Sequence, residues 1–141
     1  MTAWTRRDDH VVIALGRGSP VLEGIADALR EAEVVSGSLV GIGAIEHPRL
    51  AWFDRWEKQY REQTFEGVWE IASLIGNATQ FQDDIRLHCH AVISDRNCNT
   101  CGGHLTAGVV GVTCEITVVS YADPLMRSMD PESGLPLLDL S

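Results

Sequence analysis

The 141-residue chain predicts an α+β (α/β) fold: one domain over residues 1–141, with a mixed, mainly antiparallel sheet flanked by helices. Short runs rich in Val and Ile recur along the chain, bounded by Gly, Asn, Asp and Pro, which is the pattern of strands. Only one segment spaces its apolar residues three and four apart, as an amphipathic helix requires. Many strands with one clear helix point to an α+β architecture. Length and a hydrophobic content of 45% supply one core of ordinary size, and neither repeat nor linker divides the chain.

His10–Gly16 opens the reading as a Val- and Ile-rich strand. Ser19-Pro20 resembles an N-cap followed by proline at the first helical position. Leu22, Ile25, Ala26 and Leu29 then mark a helix from Pro20 to about Glu33. Ser38–Ile45 is a strand whose Gly41 and Gly43 suggest close approach of another backbone. Arg49–Asp54 reads as a short strand, and the charge-dense Asp54–Glu62 as a helical turn or exposed loop. Gly67–Ile75 is apolar almost throughout and predicts a buried strand, closed by a Gly76-Asn77 turn. Arg86–Ser94 and Val112–Tyr121 are two further strands. The last twenty residues, with Pro124, Pro131 and Pro136, predict a surface tail that packs through its terminal leucines.

Eleven Lys and Arg against twenty Asp and Glu give a net charge of −9. Such a surface repels phosphate backbones and disfavours a non-specific nucleic-acid clamp. No apolar run approaches the roughly 20 residues of a membrane-spanning helix, and no signal-length apolar stretch follows the charged N-terminus. The expectation is a cytoplasmic protein whose four cysteines are thiols.

The chemistry concentrates in Leu87-His88-Cys89-His90 and Cys101-Gly102-Gly103-His104. Alternation in a strand puts His88 and His90 on one face and Cys89 on the other. Asp95-Arg96-Asn97-Cys98-Asn99 is rich in turn formers. A hairpin centred near Asn97 sets His104 opposite His90, because each lies the same distance from the turn. Opposed Cβ atoms sit about 4.5–5.5 Å apart, the scale on which three imidazoles converge on one metal ion. Three neutral imidazoles with an open position describe a catalytic-type zinc site, although imidazole also suits other first-row divalent ions. The competing reading is three ordinary half-buried histidines hydrogen-bonded to neighbours.

Glu70 and Glu115 each interrupt an apolar strand. Burial raises a carboxyl toward general-base range, so both are catalytic candidates, as proton shuttle or as partner of a ligating histidine. The alternative is that one or both face solvent or pair with an arginine such as Arg86. Cys98-Asn-Thr-Cys101 lacks the second cysteine pair of a structural zinc site and the helix N-terminus of a redox motif. Plain thiols are expected there, with a short-loop disulfide left open. Trp52, Trp56, Trp69 and Tyr60 are candidates for a ligand pocket, a core or a subunit interface. His10 and His47 are isolated and carry no assigned role.

In order along the chain, several segments resemble the plant-and-prokaryote conserved (PPC) domain family: Gly41-Ile-Gly-Ala44, Phe53-Asp54 with Tyr60, Trp69–Asn77, His88-Cys-His90-Ala91, Gly102-Gly-His-Leu105, Glu115, Arg127 and Gly134–Leu138. The resemblance implies a mixed-sheet domain that assembles as a homotrimer. It also implies a metal, usually zinc, on His88, His90 and His104, and a fold similar to acetolactate decarboxylase. Members are often called DNA-binding because plant relatives join the domain to an AT-hook, whose core is Arg-Gly-Arg-Pro. This chain has only Gly16-Arg-Gly-Ser-Pro20, which reads as a strand-to-helix turn.

The preferred function is a zinc-dependent lyase or hydrolase acting on a small oxygenated molecule bound near the metal. Nicotinamide chemistry is disfavoured, since no Gly-x-Gly-x-x-Gly stands at a strand-to-helix turn. The alternative is a non-enzymatic regulatory module that binds a protein partner or DNA, with DNA disfavoured by charge and by the missing hook.

Overall fold

The computed structural model describes residues 2–141. Its strands are β1 (Thr2–Arg7), β2 (His10–Gly16), β3 (Gly37–Asp54), β4 (Gln59–Thr64), β5 (Val68–Phe81), β6 (Asp84–Ser94), β7 (Thr100–Ser120), β8 (Met126–Met129) and β9 (Pro136–Asp139). They form one sheet, and α1 (Val21–Glu31) packs against it. Every strand pairing is antiparallel except the parallel contact of β5 with β8, so the sheet is mixed and mainly antiparallel as expected. The expectation of several flanking helices is corrected: among the described residues α1 is the one helix, and the domain is mostly β.

The four long strands close on themselves. β3 pairs with β5 and β7, and β6 pairs with the same two. The enclosed face is apolar, with Ile45, Leu74, Ile93 and Val110 fully buried. Val21, Ile25 and Leu29 of α1 join the same core as Val11, Ile13 and Leu15 of β2. Pro20 stands one position before the helix rather than at its first turn, and no side chain caps it. Ser19 instead gives its carbonyl to the Val110 amide at 2.8 Å.

β1 was not anticipated. All six of its residues are exposed, so no hydrophobic alternation marks it; it exists by pairing with β2. Residues 59–64 of the expected charged loop are β4, whose residues are likewise exposed and which pairs with β3, Arg61 donating to Asp54 of that strand at 2.9 Å. Ser38–Ile45 and Arg49–Asp54 are one strand, β3, interrupted by a register shift at His47 and Pro48, where His47 takes φ 49°. Gly43 lies at another shift with φ +152°, and a Cβ there would stand 2.2 Å from the Thr113 carbonyl.

The Gly76-Asn77 pair is no turn but the middle of β5, opposite Cys89 and His88. Gly76 is required because a Cβ would meet the His88 carbonyl at 2.2 Å. Nor is Gly67–Ile75 wholly buried: Ile71 and Leu74 face the core, while Val68, Glu70 and Ile75 are exposed. The tail forms a β8–β9 hairpin, and its Leu137 and Leu138, like Leu140 beyond it, are exposed rather than packed. No helix of the described residues is long and apolar enough to cross a membrane.

Candidate metal centre

β6 and β7 build the site. Asp95 organises the turn between them, its carboxylate accepting from the amides of Asn97 and Asn99 and from the Asn99 side chain. These bonds hold the Asp95 carboxyl below the usual carboxylate range. The turn fixes the register His90↔His104, the pairing expected from the sequence. Along β6, Cys89 turns into the core, where burial pushes its thiol up to about 12. His88 and His90 turn to the other face.

The three imidazoles meet. Each offers a ring nitrogen, and these lie within 4.8 Å of one another. Ring centroids are 5.1 to 5.6 Å apart. Nitrogens bound tetrahedrally at 2.0–2.1 Å sit about 3.4 Å from each other, so modest ring rotations close the cluster on an ion. His104 Nδ1 is buried and has no hydrogen-bond partner among the described residues. Burial, then the neighbouring His88 and His90, lower His104 to about 4. Burial and the Arg127 charge lower His88 as well. Both rings therefore carry free lone pairs at neutral pH, the form in which imidazole binds a metal. An unpaired buried ring nitrogen beside two converging imidazoles fits a divalent ion.

Tyr60 of β4 stacks on His104, with centroids 4.7 Å apart and planes 19° from parallel. The other aromatic candidates do not reach the cluster. Trp52 and Trp56 are exposed, and Trp69 packs edge-on to Phe65 while donating to the Glu66 carbonyl. Cys98 and Cys101 are free thiols, and burial raises Cys101.

Glu70 and Glu115 are exposed rather than buried, and neither belongs to the cluster. Glu70 lies opposite Ser94, five positions along β5 from the residue facing His90. Glu115 pairs across to Ala14 and Ile42. Among the described residues neither forms an ion pair with Arg86.

Two arginines were missed as site residues. Arg86 precedes His88 by two positions and so shares its strand face, a signal present in the sequence. Arg127 reaches the site from β8, where it donates to Thr79 Oγ1, the Pro136 carbonyl and Asn77 Oδ1, each at 2.8 Å. That docking depends on the fold of the tail. A small cavity of about 60 Å³ joins Tyr60, Arg86, His88, His104 and Arg127.

The model of the Plants and Prokaryotes Conserved (PCC) domain matches residues 5–122. No curated protein sequence matches the chain. Among solved structures, a candidate DNA-binding protein of Bacteroides thetaiotaomicron is similar over 99% of this chain and 97% of its own, with TM-score 0.94 and 25% identity. One of Ralstonia eutropha, also a candidate DNA-binding protein, matches over 98% and 96%, with TM-score 0.90 and 29% identity. A metal-containing protein of Archaeoglobus fulgidus shares the fold at TM-score 0.85 and 22% identity, over 98% and 99%. The fold extends more distantly to α-acetolactate decarboxylase of Bacillus subtilis, at TM-score 0.55 and 13% identity, over 78% of this chain and 51% of the enzyme.

Proposed function

Because the chain belongs to the Plants and Prokaryotes Conserved domain family, we propose that it is a metal-dependent enzyme, a lyase or hydrolase of a small oxygenated molecule. The observation that carries this reading is the convergence of three imidazoles beside a cavity that reaches two of them. His88, His90 and His104 would hold zinc or another first-row divalent ion. Bound there, such an ion supplies Lewis acidity toward a carbonyl or carboxylate oxygen. The Archaeoglobus protein's description as metal-containing supports the same reading. Tyr60 fixes the plane of His104 by stacking, and the pairing of β6 with β7 holds His90 to His104.

The same reading includes a homotrimer. Val40, Ile42, Ile75 and Val112 are 56 to 68% exposed on the sheet, and Ile75 pairs directly with His90. Exposed apolar side chains of this kind, three of which (Val40, Ile42 and Ile75) line one shallow surface, are characteristic of an interface. Glu70 and Glu115 are also exposed side chains of these strands, so a neighbouring subunit is the route by which either carboxylate would come to move a proton.

The names of the Bacteroides and Ralstonia proteins favour a second reading, a non-enzymatic module that binds DNA or a protein. The net charge of −9 weighs against its DNA form. Zinc-loaded and metal-stripped protein, assayed side by side on small esters and small 3-oxo carboxylates, separate the two. The enzyme reading expects turnover that needs metal and disappears in His104→Ala. Metal-independent inertness across both substrate classes, together with tight capture of a duplex, would favour the module.

A further inference from the structure

We propose that Arg86 and Arg127 form an oxyanion subsite, so that the ligand of this centre is a small carboxylate with an oxygen on the neighbouring carbon. The proposal rests on the metal-site reading for the far end of that ligand, and on the arginines alone for the near end.

The geometry follows from strand register. On β6, Arg86, His88 and His90 share one face, spaced about 6.7 Å from one to the next at two residues per repeat. Their partners on β5 are Thr79, Asn77 and Ile75. Arg127 lies across two of these partners, with Nε on Thr79 and one terminal nitrogen on Asn77, while its other terminal nitrogen holds the Pro136 carbonyl. A guanidinium carries five N–H donors. Three are used here, each on a neutral acceptor, which leaves two N–H groups on a side chain that lines the cavity.

Among the described residues neither arginine pairs with an acid. The ion pairs among the described residues involve Arg17, Arg30, Arg49 and Arg61, never Arg86 or Arg127. Carboxylates are abundant in this chain, twenty against eleven basic side chains, so the lack of a partner at two adjacent arginines is a local property of the site. The half-buried Arg127 is lowered by burial and by the Arg86 charge. Two like charges held together without an anion oppose folding, and a bound anion removes that cost. Planar, forked donors suit a carboxylate. Anchoring of the C-terminal hairpin accounts for Arg127 but not for Arg86, which makes no such contact.

The same small cavity, about 60 Å³, is lined by both arginines and by His88 and His104. A small carboxylate held on the arginines therefore carries its adjacent hydroxyl or carbonyl oxygen within a space that two of the imidazoles share.

Glycolate is the probe. Zinc-loaded protein is titrated with glycolate by calorimetry, and zinc content is measured on every sample. Arg86→Gln should keep its zinc and bind glycolate about 10- to 100-fold more weakly, the loss typical of a charge-assisted bond. Arg86→Lys should recover part of the affinity, and Arg17→Gln, a distant exposed arginine, should match wild type. Ethylene glycol, which lacks the carboxylate, should bind wild type and Arg86→Gln alike. The same titration on metal-free protein, read by the Arg127 Nε–H resonance, should still show glycolate binding that Arg86→Gln weakens. Wild type that holds no zinc but passes this metal-free test overturns the metal reading and leaves the subsite standing. Zinc-loaded Arg86→Gln that binds glycolate like wild type overturns the subsite and leaves the metal reading standing. A metal-free resonance that glycolate does not move also overturns the subsite, and binding of inorganic phosphate in preference to glycolate overturns the carboxylate assignment.

Discussion

His104 concentrates the demands of the site in one residue. Its ring is stacked on Tyr60, its Nδ1 is buried without a partner, and burial with the adjacent histidines lowers it to about 4. Folding therefore favours the neutral ring. The unfolded chain binds the proton from about pH 6.5 downward, whereas the folded one resists it until about pH 4. His104 therefore leaves stability unaffected above about pH 6.5 and lowers it progressively as pH falls toward 4, where the unfolded chain alone takes up the proton. Urea melts of metal-free protein at several pH values across that window should show the decline, and His104→Gln should flatten it. A wild-type and variant pair with identical pH slopes would contradict the neutral, desolvated ring.

At the scale of elements, the β6–β7 hairpin and the β5–β6 pairing hold the histidines together. Asp95→Ala removes three hydrogen bonds from the turn and should cost about 1–3 kcal/mol, measured by denaturant unfolding, with weaker metal binding as the register loosens. Gly76→Ala should be harsher. Its Cβ would collide with the His88 carbonyl and crowd the Cys89 sulfur at 2.9 Å, so a loss above about 3 kcal/mol is expected. A Gly76→Ala protein as stable as wild type would show that β5 and β6 separate freely. The hairpin was legible because turn formers and period-two alternation sit on either side of Asn97. Other elements were not. The residues of β1 and β4 are exposed, so no hydrophobic alternation marks either strand in the sequence. Gly76 looked like a turn because close strand approach and a turn both call for glycine. Glu70 and Glu115 looked buried because an exposed apolar sheet face gives its strands the composition of a core.

That open face governs the whole molecule. If Val40, Ile42, Ile75 and Val112 pack against other copies, light scattering at micromolar concentration should report a trimer, and Ile42→Glu should shift it toward monomer while leaving the fold intact. A stable wild-type monomer would refute the assembly. Charge acts at the same scale. With net charge −9 and no complete Arg-Gly-Arg-Pro core, DNA binding at about 150 mM salt should be at or beyond the weak end of the roughly 10⁻⁴–10⁻⁶ M non-specific range, without AT preference. Submicromolar, AT-selective capture of a labelled duplex, with a GC-rich control, would put the interaction module ahead of the enzyme. The metal centre stands beneath both readings, and its test is metal analysis of protein purified from zinc-supplemented medium. Wild type and Cys98→Ala should each carry about one divalent ion per chain, while His88→Ala, His90→Ala and His104→Ala should each lose it. Full occupancy in all three histidine variants, or none in the wild type, would contradict the site.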